Sequence, residues 1–61
     1  MMTNHFRFAL TYEGLEDTKP ALVSWYGSST GPAIDFLLSD EEVSSLKLVS
    51  MNGTLMEEVI K

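Results

Sequence analysis

The feature that most constrains the fold is a strict alternation of residue types in the segment HFRFALTY, near the start of the chain. Every second residue is aromatic or leucine, and the residues between them are His, Arg, Ala and Thr. A period of two with aromatic side chains on one side is typical of a half-buried β-strand. We therefore predict a strand over His5–Tyr12 whose buried face carries Phe6, Phe8, Leu10 and Tyr12.

Two further segments have the composition of strands. ALVSWYG, residues 21–27, and AIDFLL, residues 33–38, are rich in aromatic, β-branched and other apolar residues. In the second of them, alternation is expected to direct Ile34, Phe36 and Leu38 inward and Asp35 outward. We predict that both segments belong to one sheet.

The segment LSDEEVSSL, residues 38–46, predicts a short helix of roughly two turns. Ser39 is a favourable N-cap residue, and Glu42 stands three residues later, at the position that completes a capping box. Asp40 and Glu41 fall in the same first turn, where carboxylates suit the positive end of the helix dipole.

The last fifteen residues allow two interpretations. Asn52-Gly53 is the preferred pair for a type I′ hairpin turn, and that register places Lys47 opposite Glu58 and Val49 opposite Met56. Alternatively, Thr54 is the N-cap of a terminal helix. A helix of about seven residues at a chain end is marginal in water, so we favour the hairpin.

These elements give the order β-β-β-α-β-β in a single domain over residues 1–61. The fold class is α+β: a small antiparallel β-sheet of four to five strands with one short helix. A chain of 61 residues with no cysteine has a small core and no disulfide to reinforce it. We therefore expect a partner copy to complete the structure, in a homo-dimer.

Charge restricts the range of partners. Nine acidic residues against four basic ones give a net charge of -5, and the basic residues are scattered along the chain. Phosphate neutralisation needs clustered Lys and Arg, so we expect no direct nucleic-acid binding. We also expect no membrane association and, with no signal peptide visible, a complete protein in the cytoplasm.

No residue pattern points to catalysis, a cofactor or a metal. The glycines of the loop over 27–31 lack the spacing and the lysine of a phosphate-binding loop, so we interpret that loop as a chain turn. His5 is the single histidine, and no cysteine is present to share a metal with it. A chain of this length leaves little interior for a catalytic pocket, so we expect a protein that is not an enzyme.

By exclusion, the sequence predicts a small acidic interaction protein, a regulator or inhibitor that binds another protein, of a kind often encoded by phages and other mobile elements. A basic nucleic-acid-handling enzyme is the most specific partner, because clustered carboxylates resemble a phosphate backbone. The alternatives are a homo-oligomeric structural subunit and a small-ligand-binding module. The candidate partner-binding residues are two adjacent aromatics and four acids: Trp25, Tyr26, Asp35, Asp40, Glu41 and Glu42.

Overall fold

Four antiparallel strands and one helix make up the part of the chain that the computed structural model describes, residues 3–61. The strands are β1 (Asn4–Tyr12), β2 (Ala21–Gly27), β3 (Val43–Met51) and β4 (Thr54–Val59), and helix α1 (Gly31–Leu38) connects β2 to β3. The sheet order is β2-β1-β3-β4. The antiparallel α+β class is therefore confirmed, whereas the predicted order of three strands, helix and two strands is wrong.

The core lies between one face of the sheet and α1. Strand β1 is central and supplies Phe6, Phe8 and Leu10, which are almost completely buried. The other buried core residues are Ala33 of α1 and three residues of β3, Val43, Leu46 and Leu48. The alternation in β1 thus predicts the buried face correctly for its first three residues, while Tyr12 at the strand end remains partly exposed.

The segment predicted to be a third strand is helical. Pro32 stands in the first turn of α1, where its fixed φ suits a helix and its missing N–H removes no hydrogen bond. The residues that α1 packs against the sheet are Ala33, Ile34, Leu37 and Leu38, which follow helical spacing. The predicted inward position of Phe36 is consequently wrong, since on a helix this side chain points away from the core and is 65% exposed.

The segment predicted to be a helix is a turn followed by β3. Ser39 ends α1: its N–H and its hydroxyl both donate to the carbonyl of Phe36, at 3.3 and 2.6 Å. Asp40 Oδ1, rather than Ser39, accepts the Glu42 N–H, at 2.9 Å. The Asp40 carbonyl then accepts the Val43 N–H, at 3.1 Å, which closes the turn. The capping residues are therefore used to stop one element, and no helix follows.

The C-terminal hairpin is confirmed, with a different register. Asn52 and Gly53 have φ of 51° and 84°, as a type I′ turn requires. Glu57 also has a positive φ, 52°, and the β3–β4 pairing shifts between Leu48 and Ser50. This bulge adds one residue to β4, so Lys47 lies opposite Val59 and not, as predicted, opposite Glu58.

Candidate functional site

A small groove with a lining of mixed apolar and polar character opens where the C-terminal end of α1 meets the ends of β1 and β3. Its volume is about 190 Å³, and its lining is made by Leu10, Tyr12, Phe36, Leu37, Ser39, Asp40 and Val43. Protein pockets for drug-sized ligands measure about 300–1,000 Å³. The groove therefore has room for a side chain of a partner and is small for an organic ligand.

Two of the polar side chains of the groove, those of Ser39 and Asp40, are already engaged with the backbone. The Ser39 hydroxyl donates to the Phe36 carbonyl, and Asp40 accepts the N–H of Glu42. The single histidine, His5, lies 3.1 Å from the Ser24 hydroxyl, so the Ser39 hydroxyl has no histidine beside it to accept its proton. The groove thus offers a partner a concave shape, apolar side chains and the carboxylate of Asp40. Its serine, Ser39, has the structural role of ending α1.

Phe36 forms the exposed wall of the groove. It is 65% exposed, and its ring lies 5.9 Å from that of Trp25, centroid to centroid, in a tilted arrangement. Trp25 is half-buried and packs on the core, so it supports Phe36 from the side of β2. A large aromatic side chain held on a rigid element and left in water is characteristic of protein-binding surfaces.

Two acidic segments meet at the end of the sheet where the groove lies. The N–H of Glu13, which follows β1, donates to the carbonyl of Glu42, which precedes β3, at 2.6 Å. This hydrogen bond joins the loop over 13–20 to the turn over 39–42. Together the two segments hold six of the nine acidic residues of the chain: Glu13, Glu16, Asp17, Asp40, Glu41 and Glu42.

The structure divides the six candidate residues among three places. Asp40 lines the groove, and the exposed Glu41 and Glu42 follow it in the same turn. Asp35 lies on the exposed surface of α1, because its segment is helical. The two aromatic candidates lie on opposite faces of β2, with Trp25 on the core side and Tyr26 65% exposed on the other side.

The face of the sheet that α1 does not cover, hereafter the open face, carries the second cluster of interest. Here the ring of His5 stacks on that of Tyr26, with centroids 4.5 Å apart and planes 8° from parallel. His5 Nε2 also lies 3.1 Å from the Ser24 hydroxyl. Large apolar side chains are exposed at both edges of this face, at Leu22 in β2 and at Leu55 and Val59 in β4.

Sequence reasoning misses Tyr12 and Phe36 as site residues, because alternation alone places both on the buried face of a strand. The sequence does contain a signal that Phe36 lies on a helix. Gly31-Pro32 is followed by the six residues AIDFLL, and only Asp35 among them is charged. This pattern also fits a helix with Pro in its first turn.

Comparison with models of known protein families, with curated proteins and with solved structures finds no match. Within residues 3–61, no helix combines the length and the apolar character needed to cross a membrane. In the same described part of the chain, no three His, Cys, Asp or Glu side chains are grouped so as to hold a metal ion.

Proposed function

We propose that this chain is a small acidic interaction protein without catalytic activity, which regulates or inhibits another protein by binding it through the groove. The observation that carries the proposal is Phe36, a largely exposed aromatic side chain at the wall of a small groove that adjoins two acidic segments. Burying an aromatic side chain of this size contributes about 1.5–3 kcal/mol to association.

The chemistry of the groove defines the partner. An apolar side chain of the partner fills the groove between Tyr12 and Phe36, and basic residues around it face Asp40 and the neighbouring carboxylates. Carboxylates at the rim raise the association rate of a cationic partner and make it dependent on salt. More specifically, we propose a partner whose cationic surface normally binds nucleic acid. The two acidic segments, which form the acidic end of the protein, then compete with the phosphates for that surface.

The alternative of a small-ligand-binding module receives less support. Trp25 and Tyr26 lie on opposite faces of β2 and do not form one binding surface. The alternative of a homo-oligomeric subunit is favoured by a different surface, the free edge of β2.

Affinity capture with matched variants tests the proposal. The tagged protein, Phe36→Ser and the control Leu55→Ser are used as baits in lysate of the cells that carry the gene. Phe36 and Leu55 are almost equally exposed, on opposite faces of the sheet. We expect one partner that the original protein and Leu55→Ser retain and that Phe36→Ser captures at least about tenfold less, equivalent to about 1.4 kcal/mol.

A second variant tests the role of the acids. Asp40→Asn with Glu41→Gln and Glu42→Gln removes three charges, and the introduced asparagine still offers a side-chain oxygen to the N–H of residue 42. We expect this variant to bind more weakly at low salt and to lose about half of the salt dependence, because three of the six carboxylates of the two acidic segments remain. Release of the captured partner by added duplex DNA supports the nucleic-acid-competing form. Capture that is the same for Phe36→Ser and for the original protein contradicts the groove as the binding site.

A further inference from the structure

Within residues 3–61, strand β2 is an edge strand without the usual protection against pairing with another chain. Its seven residues, ALVSWYG, include no charged residue and no proline. Its pairing with β1 runs from Asn4–Gly27 to Leu10–Ala21 without a register shift. Natural edge strands are commonly blunted by charge, proline, a bulge or a covering element.

The hydrogen-bonding direction of β2 follows from contacts on the other side of β1. The N–H of His5 donates to Asn52 Oδ1 at 2.8 Å, and its carbonyl accepts the Asn52 N–H at 2.7 Å, so both groups face β3. Direction alternates along a strand, so Phe6 faces β2 and its partner Trp25 faces β1 in return. The backbone groups directed to the free edge are therefore those of Leu22, Ser24 and Tyr26.

We propose that this edge binds a second copy of the chain, by antiparallel pairing of β2 with β2 about a two-fold axis at Ser24. In this register Ser24 lies opposite Ser24 of the partner subunit, and Leu22 lies opposite Tyr26 of the partner subunit. All three outward-facing residues of each copy then form hydrogen-bonded pairs, which gives about six inter-chain hydrogen bonds. The two sheets become one continuous sheet.

A second copy fits this edge because β2 is complementary to itself. Leu22 and Tyr26 are 61% and 65% exposed on the open face. In the dimer, Leu22 of each copy packs against Tyr26 of the partner subunit, so both side chains are covered. On the core side it brings Val23 against Trp25 of the partner subunit, which extends the core across the axis. Aromatic side chains opposite aliphatic ones are favourable cross-strand pairs, and serine pairs hydrogen-bond.

The distribution of charge also favours the antiparallel arrangement of two copies. The acidic loop over 13–20 leads into the start of β2, and the uncharged residues Ser28, Ser29 and Thr30 follow its end. Antiparallel pairing sets the acidic end of each copy beside the uncharged end of the other. The two clusters of carboxylates therefore lie at opposite ends of the dimer, where their repulsion is screened.

Light scattering at increasing concentration tests the proposal, with Ser24→Lys as the disrupting variant and Leu55→Lys as its control on the β4 edge. Ser24→Lys sets two ammonium groups face to face across the axis. We expect the original protein and Leu55→Lys to be dimeric, and Ser24→Lys monomeric, between about 1 μM and about 1 mM. A monomeric original protein throughout this range overturns the proposal, as does a Ser24→Lys variant that stays dimeric.

Amide hydrogen exchange tests the register without any substitution. The N–H groups of Val23 and Trp25 are bonded to β1 and are protected at every concentration. Those of Leu22, Ser24 and Tyr26 are expected to exchange at least about tenfold more slowly when the protein is dimeric than when it is dilute. A dimer in which these three amides exchange as fast as in the monomer contradicts edge pairing. Neither measurement depends on the groove, so this inference and the proposed function fail independently.

Discussion

The β2 and β4 edges of the same sheet differ in sequence, in backbone geometry and in their attachment to the core. Strand β2 is regular and uncharged, and through Val23 and Trp25 it packs on the core. Strand β4 is bulged at Glu57, carries two glutamates and is exposed at all six positions. Bulges and charges are the devices that keep an edge from pairing with another chain. Strand β4 therefore closes the sheet on its side, whereas the backbone of β2 is left able to extend it.

Truncating one apolar side chain in each edge strand is expected to give the largest difference between the edges in the loss of free energy of unfolding. Trp25→Ala should lower the free energy of unfolding by about 2–3 kcal/mol, because Trp25 packs on the core and on Phe36. Val59→Ala should change it by less than about 0.5 kcal/mol, since Val59 is 73% exposed. Urea unfolding of both variants in the Ser24→Lys background measures the difference without a contribution from edge pairing. Equal losses would remove the energetic distinction between the edges.

The next effect concerns the turn that holds β4 in place. Gly53 has a φ of +84°, and a Cβ added there meets nothing within 4 Å, so substitution causes backbone strain rather than a clash. We expect Gly53→Val to cost about 1–3 kcal/mol.

Gly31→Ala is the matched control for this substitution. Apart from its chain neighbours, its Cβ also enters open space, and the residue lies at the start of α1 without a positive φ. Thermal unfolding should show this variant within about 0.5 kcal/mol of the original protein, because the lower entropy of its unfolded chain offsets the crowding of the new Cβ against the ring of Pro32. A Gly53→Val protein as stable as Gly31→Ala would show that the turn does not require the left-handed conformation.

The smallest effect is expected at the bulge in β4. Glu57 adopts a φ of 52°, which Asn tolerates better than Glu does. Glu57→Asn should therefore raise the free energy of unfolding by about 0.5 kcal/mol. Glu58→Asn, which removes the same charge from the next position, should give no such gain, because no positive φ is relieved. Urea titration of the two variants side by side separates backbone strain from charge.

The elements that the sequence predicts correctly are those with a local signal. Strict alternation marks β1, aromatic and β-branched residues mark β2, and Asn52-Gly53 marks the hairpin. The register of that hairpin is not predictable to the same degree. The bulge at Glu57 has no sequence signature, since glutamate is an uncommon residue at positive φ.

Helix α1 resembles a strand in sequence because its apolar run fits two periods. Ile34, Phe36 and Leu38 alternate as in a strand, while Ala33, Ile34, Leu37 and Leu38 follow a helical stripe. Tertiary structure decides between them, because the apolar face of β1 needs a covering layer and the helix provides it.

The capping residues after α1 are ambiguous for a related reason. Ser39 and Asp40 have short polar side chains that hydrogen-bond to nearby backbone groups. Such side chains serve equally well to begin a helix, to end one and to form a turn. Their local pattern therefore indicates a boundary between elements without indicating which element follows.

The groove is beyond sequence reasoning because its walls are distant in the chain. Tyr12, Phe36 and Asp40 come from three segments and meet only because β1 pairs with β3 beneath the end of α1. The same pairing brings Glu13 next to Glu42. Composition shows that the chain is acidic, but the position of the proposed binding surface depends on contacts between residues far apart in the chain.

The strand order has a consequence for how the chain folds. Strands β1 and β2 form one hairpin, and β3 and β4 form another. The apolar core residues of the sheet are divided equally between the two hairpins. Those of the first are Phe6, Phe8 and Leu10, and those of the second are Val43, Leu46 and Leu48. Neither hairpin encloses a core alone. The chain between Phe6 and Met51 must therefore close, with a loss of conformational entropy, before most of the apolar surface is buried. We expect the chain to fold in one cooperative step, with coincident transitions by tryptophan fluorescence and circular dichroism.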